Sequence, residues 1–113
     1  MLGMKKYILL LILSFLFPNK LNDIPVVLTQ PNGTEFSCFV SGDEYYSRLH
    51  DENNFTIIQS KKDGYYYYAD LIGEEITKSL YKVLEINPSE LNLIPGIKIS
   101  KERYQLIRED YWS

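Results

Sequence analysis

Turn signals break this chain at near-regular intervals, and that limits the possible folds more than any other feature. Pro31-Asn32-Gly33, Gly42-Asp43, Asp51-Glu52-Asn53-Asn54, Lys62-Asp63-Gly64 and Gly73-Glu74-Glu75 separate short segments rich in Val, Ile, Thr, Phe and Tyr. Pro presets φ, and Asn-Gly or Asp-Gly accepts positive φ, so these spacings favour hairpins over long helices. The predicted strands are Val26–Gln30, Phe36–Val40, Phe55–Gln59 and Tyr65–Leu71, with a weaker strand or connection over Ile76–Val83. Alternation places Phe36, Cys38 and Val40 on one face of their strand, and Ser37, Phe39 and Ser41 on the other. Asp43 to His50 reads either as a helical turn capped by Asp43 or, preferentially, as an extended or bent strand. Asn19 to Ile24 reads as a polar linker.

After Glu85 the texture changes. Asn87-Pro88 and Pro95-Gly96 punctuate an irregular stretch, and Ser100 then caps a helical segment over Lys101–Tyr111, with Tyr104, Ile107 and Tyr111 at helical spacing. The expected class is mainly β: a small antiparallel sheet of four or five strands, an N-terminal signal helix and a short C-terminal helix. The expected divisions are a signal peptide or uncleaved anchor at 1–19, a small β domain at 25–84, and a connector with a short helix at 85–113.

The first segment carries the export reading. Lys5-Lys6 forms a positive n-region, and Tyr7–Phe17 is an apolar run of 11 residues. That lies within the ~7–15 of a signal core and below the ~20 needed to span a bilayer. A buried core helix is the alternative. There is no L-x-x-C lipidation pattern, since the single cysteine is Cys38. The expected location is therefore secreted or cell-envelope, with membrane contact only through the signal segment.

Composition sets further limits. Aromatic residues make up 14% of the 113 residues, ten of them tyrosine, which is too much for a disordered chain. Outside Lys5 and Lys6 the chain holds 10 basic and 15 acidic residues, a net charge of −5. With no basic stripe, nucleic acid is excluded as an expected partner. One cysteine allows no internal disulfide, so stability rests on the core or on a partner. A domain of ~90 residues buries only about 60–65% of its unfolded surface.

Catalytic chemistry is not legible. Zinc proteolysis needs two histidines one helical turn apart with a glutamate between them, and this chain has only His50, read as a surface or turn residue. No Ser/His/Asp set, CxxC pair or Gly-rich phosphate loop is expected, and no metal or cofactor. Cys38 reads as a small core residue rather than a zinc-blocking thiolate. The carboxylates of Asp43-Glu44 and Asp51-Glu52 read as solvated turns, with no calcium-loop spacing. Gly33, Gly42, Asp43 and Gly64 are read as structural turn residues, Asp43 through local backbone hydrogen bonds. Tyr65, Tyr66, Tyr67 and Tyr68 form the candidate docking face: Tyr65 and Tyr67 point one way, Tyr66 and Tyr68 the other, one pair into the core and the other toward a protein or a sugar.

Four elements carry a resemblance: Thr29-Gln30-Pro31-Asn32-Gly33-Thr34, Gly42-Asp43-Glu44-Tyr45-Tyr46, Asp63-Gly64-Tyr65-Tyr66-Tyr67-Tyr68-Ala69, and Leu93-Ile94-Pro95-Gly96-Ile97-Lys98-Ile99-Ser100. Together they resemble the N-terminal pro-region of secreted immune-inhibitor-A-type metalloproteases (peptidase family M six), over about Val26 to Lys101. The resemblance implies a non-catalytic domain that assists folding of, or shields, a zinc protease domain not contained in this sequence. The partner it implies is that protease domain, in cis or on a separate chain. The alternatives are a stand-alone exported module binding glycan or protein, and a gene fragment without function.

Overall fold

A computed structural model describes residues 20–112. It contains β1 (Leu21–Thr29), β2 (Glu35–Gly42), β3 (Ser47–His50), β4 (Thr56–Gln59), β5 (Tyr66–Ile72), β6 (Glu75–Lys82), a single 3-10 turn (Pro88–Glu90) and helix α1 (Lys101–Trp112). All six strands form one antiparallel sheet in sequence order, β1 to β6. The class is therefore mainly β with a short C-terminal helix, as expected. The strand number is six rather than four or five. The expected signal helix lies outside the described residues.

Two differences separate the observed strands from the expected ones, the first lengthening β1 and the second adding β3. The polar stretch read as a linker is the start of β1: Leu21 pairs with Gly42 and Ile24 with Val40, with a bulge between. Asp23 sits in that bulge at φ 50°, so the strand absorbs an extra residue and still keeps its apolar alternation from Ile24 onward. The ambiguous stretch after Gly42 is split. Asp43–Tyr46 is a tight turn, and only Ser47–His50 is a strand. Alternation within so short a strand gives too few periods to distinguish it from a bend.

The sheet has two covered faces. On the first, Val26 opposes Cys38 and Leu28 opposes Phe36, while Leu49, Ile57 and Tyr68 follow one another across β3, β4 and β5. Phe36, Cys38, Phe55, Ile57, Tyr68 and Val83 form the buried cluster, flanked by Val26, Leu28, Leu49, Tyr66 and Leu93. Cys38 is its most enclosed side chain. Burial, reinforced by Asp51, pushes its thiol up to about 11, so it behaves as the packing residue the alternation implies.

The second face is crossed by the chain between the 3-10 turn and α1. The Ile97 side chain is buried there. Its carbonyl accepts the Thr56 hydroxyl at 2.6 Å, and Gly96 N–H donates to the Asn54 carbonyl at 2.8 Å. Arg48 donates to the Thr56 hydroxyl at 3.0 Å and to the Asn54 side chain.

A side chain, not a strand, joins the two ends of the sheet. Gln30 follows β1 and is only 4% exposed. Its amide nitrogen donates to the Tyr66 carbonyl at 3.1 Å and the Val83 carbonyl at 3.3 Å, and its oxygen accepts Tyr66 N–H at 2.8 Å. A primary amide offers the same donor and acceptor as a peptide group, so Gln30 acts as one extra rung between β1 and the β5–β6 pair. Near this point β6 bulges: Tyr67 pairs with Lys82 but Ala69 with Lys78. Leu80 stands at the tip of the bulge, 86% exposed.

Candidate functional site

The Gly42–Tyr46 turn is where side chains from distant parts of the chain meet. Gly42 has φ 141°, and a Cβ there would lie 2.2 Å from the Tyr46 carbonyl oxygen, so only glycine fits. Asp43 then closes the turn. Its Oδ1 accepts Tyr45 N–H at 2.9 Å and Tyr46 N–H at 3.1 Å, while its own N–H donates to the Tyr46 carbonyl at 2.9 Å. Gly42 and Asp43 together fix the geometry of this turn. Gly33 and Gly64 also hold positive φ, 91° and 79°.

The other oxygen of Asp43 holds the C-terminal helix. Tyr104 of α1 donates its hydroxyl to Asp43 Oδ2 at 2.5 Å. Burial pushes the Asp43 carboxyl up, but Tyr104, the two backbone N–H groups and Arg108 outweigh it, holding the carboxyl below its ordinary value. The same bond pushes the Tyr104 phenol up. Next to it, Tyr45 meets Tyr104 and Tyr111 edge-on at 6.0 and 5.3 Å between centroids, Arg108 lies over its ring at 5.5 Å, and Trp112 Nε1 donates to its hydroxyl at 2.6 Å. Tyr46 turns the other way, is pushed up mainly by burial, and takes the Ile99 N–H on its phenol oxygen. Helix α1 is capped as expected, with Arg103 N–H on Ser100 Oγ at 3.1 Å, but it buries no residue.

The tyrosine run does not form an open ladder. Tyr68 lies in the core and Tyr66 packs on it, meeting Phe36 edge-on at 5.4 Å. On the other face Tyr67 is also buried. Lys78 lies over its ring at 4.4 Å, and its hydroxyl donates to Asp63 Oδ2 at 2.5 Å, a bond that pushes the phenol up to about 12. Tyr65 is half-buried under Lys82 at 4.3 Å. Moreover β5 is paired on both sides, so it has no free edge to offer an added strand. The free edges of the described sheet belong to β1 and β6. Exposed apolar side chains lie along β6 and at its two ends, among them Ile72, Leu80, Tyr81 and Leu84.

Sequence reasoning missed one constellation. His50 is buried rather than a surface residue, and it meets Ser41 and Asp23. The register places Ser41 opposite Arg48, which brings Ser41 diagonally beside His50, and the β1 bulge delivers Asp23. The Asp51 carbonyl lies 2.8 Å from His50 Nδ1 and can only accept, so Nδ1 carries the proton. In the neutral ring Nε2 then accepts the Ser41 hydroxyl at 2.7 Å. Asp23 Oδ1 stands 3.3 Å from Nε2, not beside Nδ1, and Asp23 N–H donates to Ser41 Oγ at 2.9 Å. These residue types serve nucleophilic hydrolases, but there the carboxylate orients the far ring nitrogen. Here the network satisfies a buried imidazole and pins the bulge of β1. Nothing in the residue spacing signalled it, because a strand bulge made it. Among the described residues no group of His, Cys, Asp or Glu is placed to hold a metal ion.

No protein-family model, curated protein or solved structure matches this chain.

Proposed function

We propose that this chain is a non-catalytic pro-region of an exported zinc metalloprotease of the immune-inhibitor-A type, assisting folding of, or shielding, the catalytic domain. One observation supports the reading above others: the four elements that carry the resemblance contact one another in pairs. Gln30 of the first bonds Tyr66 of the third. Tyr46 of the second bonds Ile99 of the fourth. These contacts make the resembling elements joints of one fold rather than isolated turn signals.

The tyrosine run contributes its rings to the fold, so docking falls to another surface. The β6 edge, with Leu80 and Ile72 exposed, is the one suited to a protease domain. A domain that binds the folded protease stabilises it by mass action, and blocks it where it lies across the cleft. The test is a titration of this chain against a separately expressed protease domain carrying H-E-x-x-H. Saturable inhibition, or recovery of refolded activity, is the expected result. No effect on either at high micromolar concentration would remove the proposal and leave an exported binding module as the reading to pursue.

A further inference from the structure

Helix α1 is attached to the rest of the domain differently from every strand. Ten of its twelve residues, all but Tyr104 and Ile107, are exposed, and the helix has no buried side chain. Its side-chain anchors, Tyr104, Arg108, Tyr111 and Trp112, converge on Asp43 and Tyr45. A helix of ~12 residues is marginal in water by itself, so α1 unfolds when those contacts release. The sheet core does not include it, and its opening therefore lies at the low-energy end of the molecule's fluctuations.

Three exposed basic residues lie in α1: Lys101, Arg103 and Arg108. Glu102 follows the first and Glu109 the third, while Tyr104 follows Arg103. The Arg103–Tyr104 bond alone joins a basic residue to a non-acidic one there. Lys61, Lys62 and Lys98, also exposed, are better protected. Lys61 and Lys62 sit in a turn closed by Gly64 N–H on the Ser60 carbonyl, Lys62 N–H on Ser60 Oγ and Tyr65 N–H on Asp63. Lys98 lies between Ile97 and Ile99, whose backbone groups are bonded to Thr56 and Tyr46.

We propose that the Arg103–Tyr104 bond is a processing site for an arginine-directed endopeptidase, with the Asp43–Tyr45 turn as the latch that sets its rate. In the step, water adds across the amide. The C–N bond breaks, Arg103 keeps the new carboxylate, and Tyr104 leaves as the new amino terminus. The β sheet stays folded after the cut. The biological meaning of this site, release of the domain from whatever follows it, rests on the pro-region reading. The cleavage itself does not.

The test is limited proteolysis of the full chain with dilute trypsin, with fragments identified by mass spectrometry. Within residues 21–112 the first cut is expected after Arg103, leaving a product whose far-ultraviolet circular dichroism retains its β signal. When opening is fast relative to cleavage, the rate follows the open population. Tyr45→Ala removes most of the latch and should raise that rate about tenfold. Arg103→Gln should abolish the cut without changing folding. A first cut within residues 21–112 after any lysine or arginine other than Arg103, or an unchanged rate in Tyr45→Ala, would overturn the proposal. The assay contains no metalloprotease, so it fails independently of the inhibition titration.

Discussion

Gln30 offers the sharpest quantitative test of how this sheet is held. Gln30→Ala removes all three of its side-chain bonds at once. Tyr66 N–H then has no partner, and a buried orphan donor costs about 1–3 kcal/mol. The Tyr66 carbonyl retains Val83 N–H at 3.0 Å, so it loses less. Adding the Val83 carbonyl and the space left by the side chain, the loss is about 3–5 kcal/mol. A domain of this size holds roughly 5–14 kcal/mol in all, so the variant should fold with a much reduced margin. Urea denaturation followed by circular dichroism reads it as a lower midpoint at unchanged slope. Gln30→Glu separates hydrogen bonding from packing. Its volume is nearly the same, but at pH 7 a carboxylate would face two carbonyl oxygens in a buried site. Burial raises the folded pKa of that carboxyl, so the penalty is present above it and relieved as pH falls and the protonated acid donates again. Gln30→Ala should therefore be insensitive to pH between 4 and 7, and Gln30→Glu should recover toward pH 4. A loss below about 1 kcal/mol in Gln30→Ala, or a pH-independent Gln30→Glu, would refute the clasp.

Three further outcomes are expected. Tyr104, two backbone N–H groups and Arg108 hold the Asp43 carboxyl below the ordinary carboxylate value, so its contribution is present above that ordinary value and lost as pH falls through the folded one. Emission from Trp112, the single tryptophan, should change in that acid window and not between pH 5 and 8, and Tyr104→Phe should weaken the transition. Gly42→Ala should destabilise by about 3 kcal/mol or more, because positive φ strain adds to a Cβ clash with backbone; thermal melting measures it, and a shift under 1–2 °C would contradict the geometry. Cys38, 1% exposed and with its thiol raised to about 11, should resist a disulfide reagent at pH 8 until the domain unfolds, so fast labelling of the native chain would show that β2 opens locally.

Much of the fold was legible because hairpins write themselves locally. Pro31-Asn32-Gly33 and Asp63-Gly64 are turns in which the glycine takes positive φ, and a short alternating strand flanks each. Cys38 and Phe36 declared their face by alternation alone. What stayed hidden depends on register and bulges, which a two-residue period cannot encode. A shift between Leu21 and Ile24 turned a polar stretch into a strand and carried Asp23 to His50. Gln30 reads as the last residue of a strand, and its role as a clasp requires Tyr66 to arrive from 36 residues away. The tyrosine run misled for a related reason. Both of its faces are covered, one by the core and the other by lysine stems from β6, and the partner strand's side chains cannot be placed until pairing is known.

The placement of the resembling elements also bears on where function should be sought. Gln30, Asp43 and Tyr46 are occupied in holding the domain together, as are the rings of Tyr66, Tyr67 and Tyr68. A side chain with its polar atoms engaged inside its own fold has little left for a partner. The proposed docking would then use residues outside those elements, and the exposed apolar ones near β6 include Ile72, Leu80, Tyr81 and Leu84. Leu80 is informative because the β6 bulge both raises it into solvent and interrupts the strand edge. A bulged edge resists indiscriminate strand pairing, while a projecting leucine suits a specific pocket. On the proposed pro-region function, Leu80→Lys should therefore leave the melting temperature within a degree or two while abolishing the inhibition or refolding effect in the protease titration. Retained inhibition in that variant would move the docking surface away from β6.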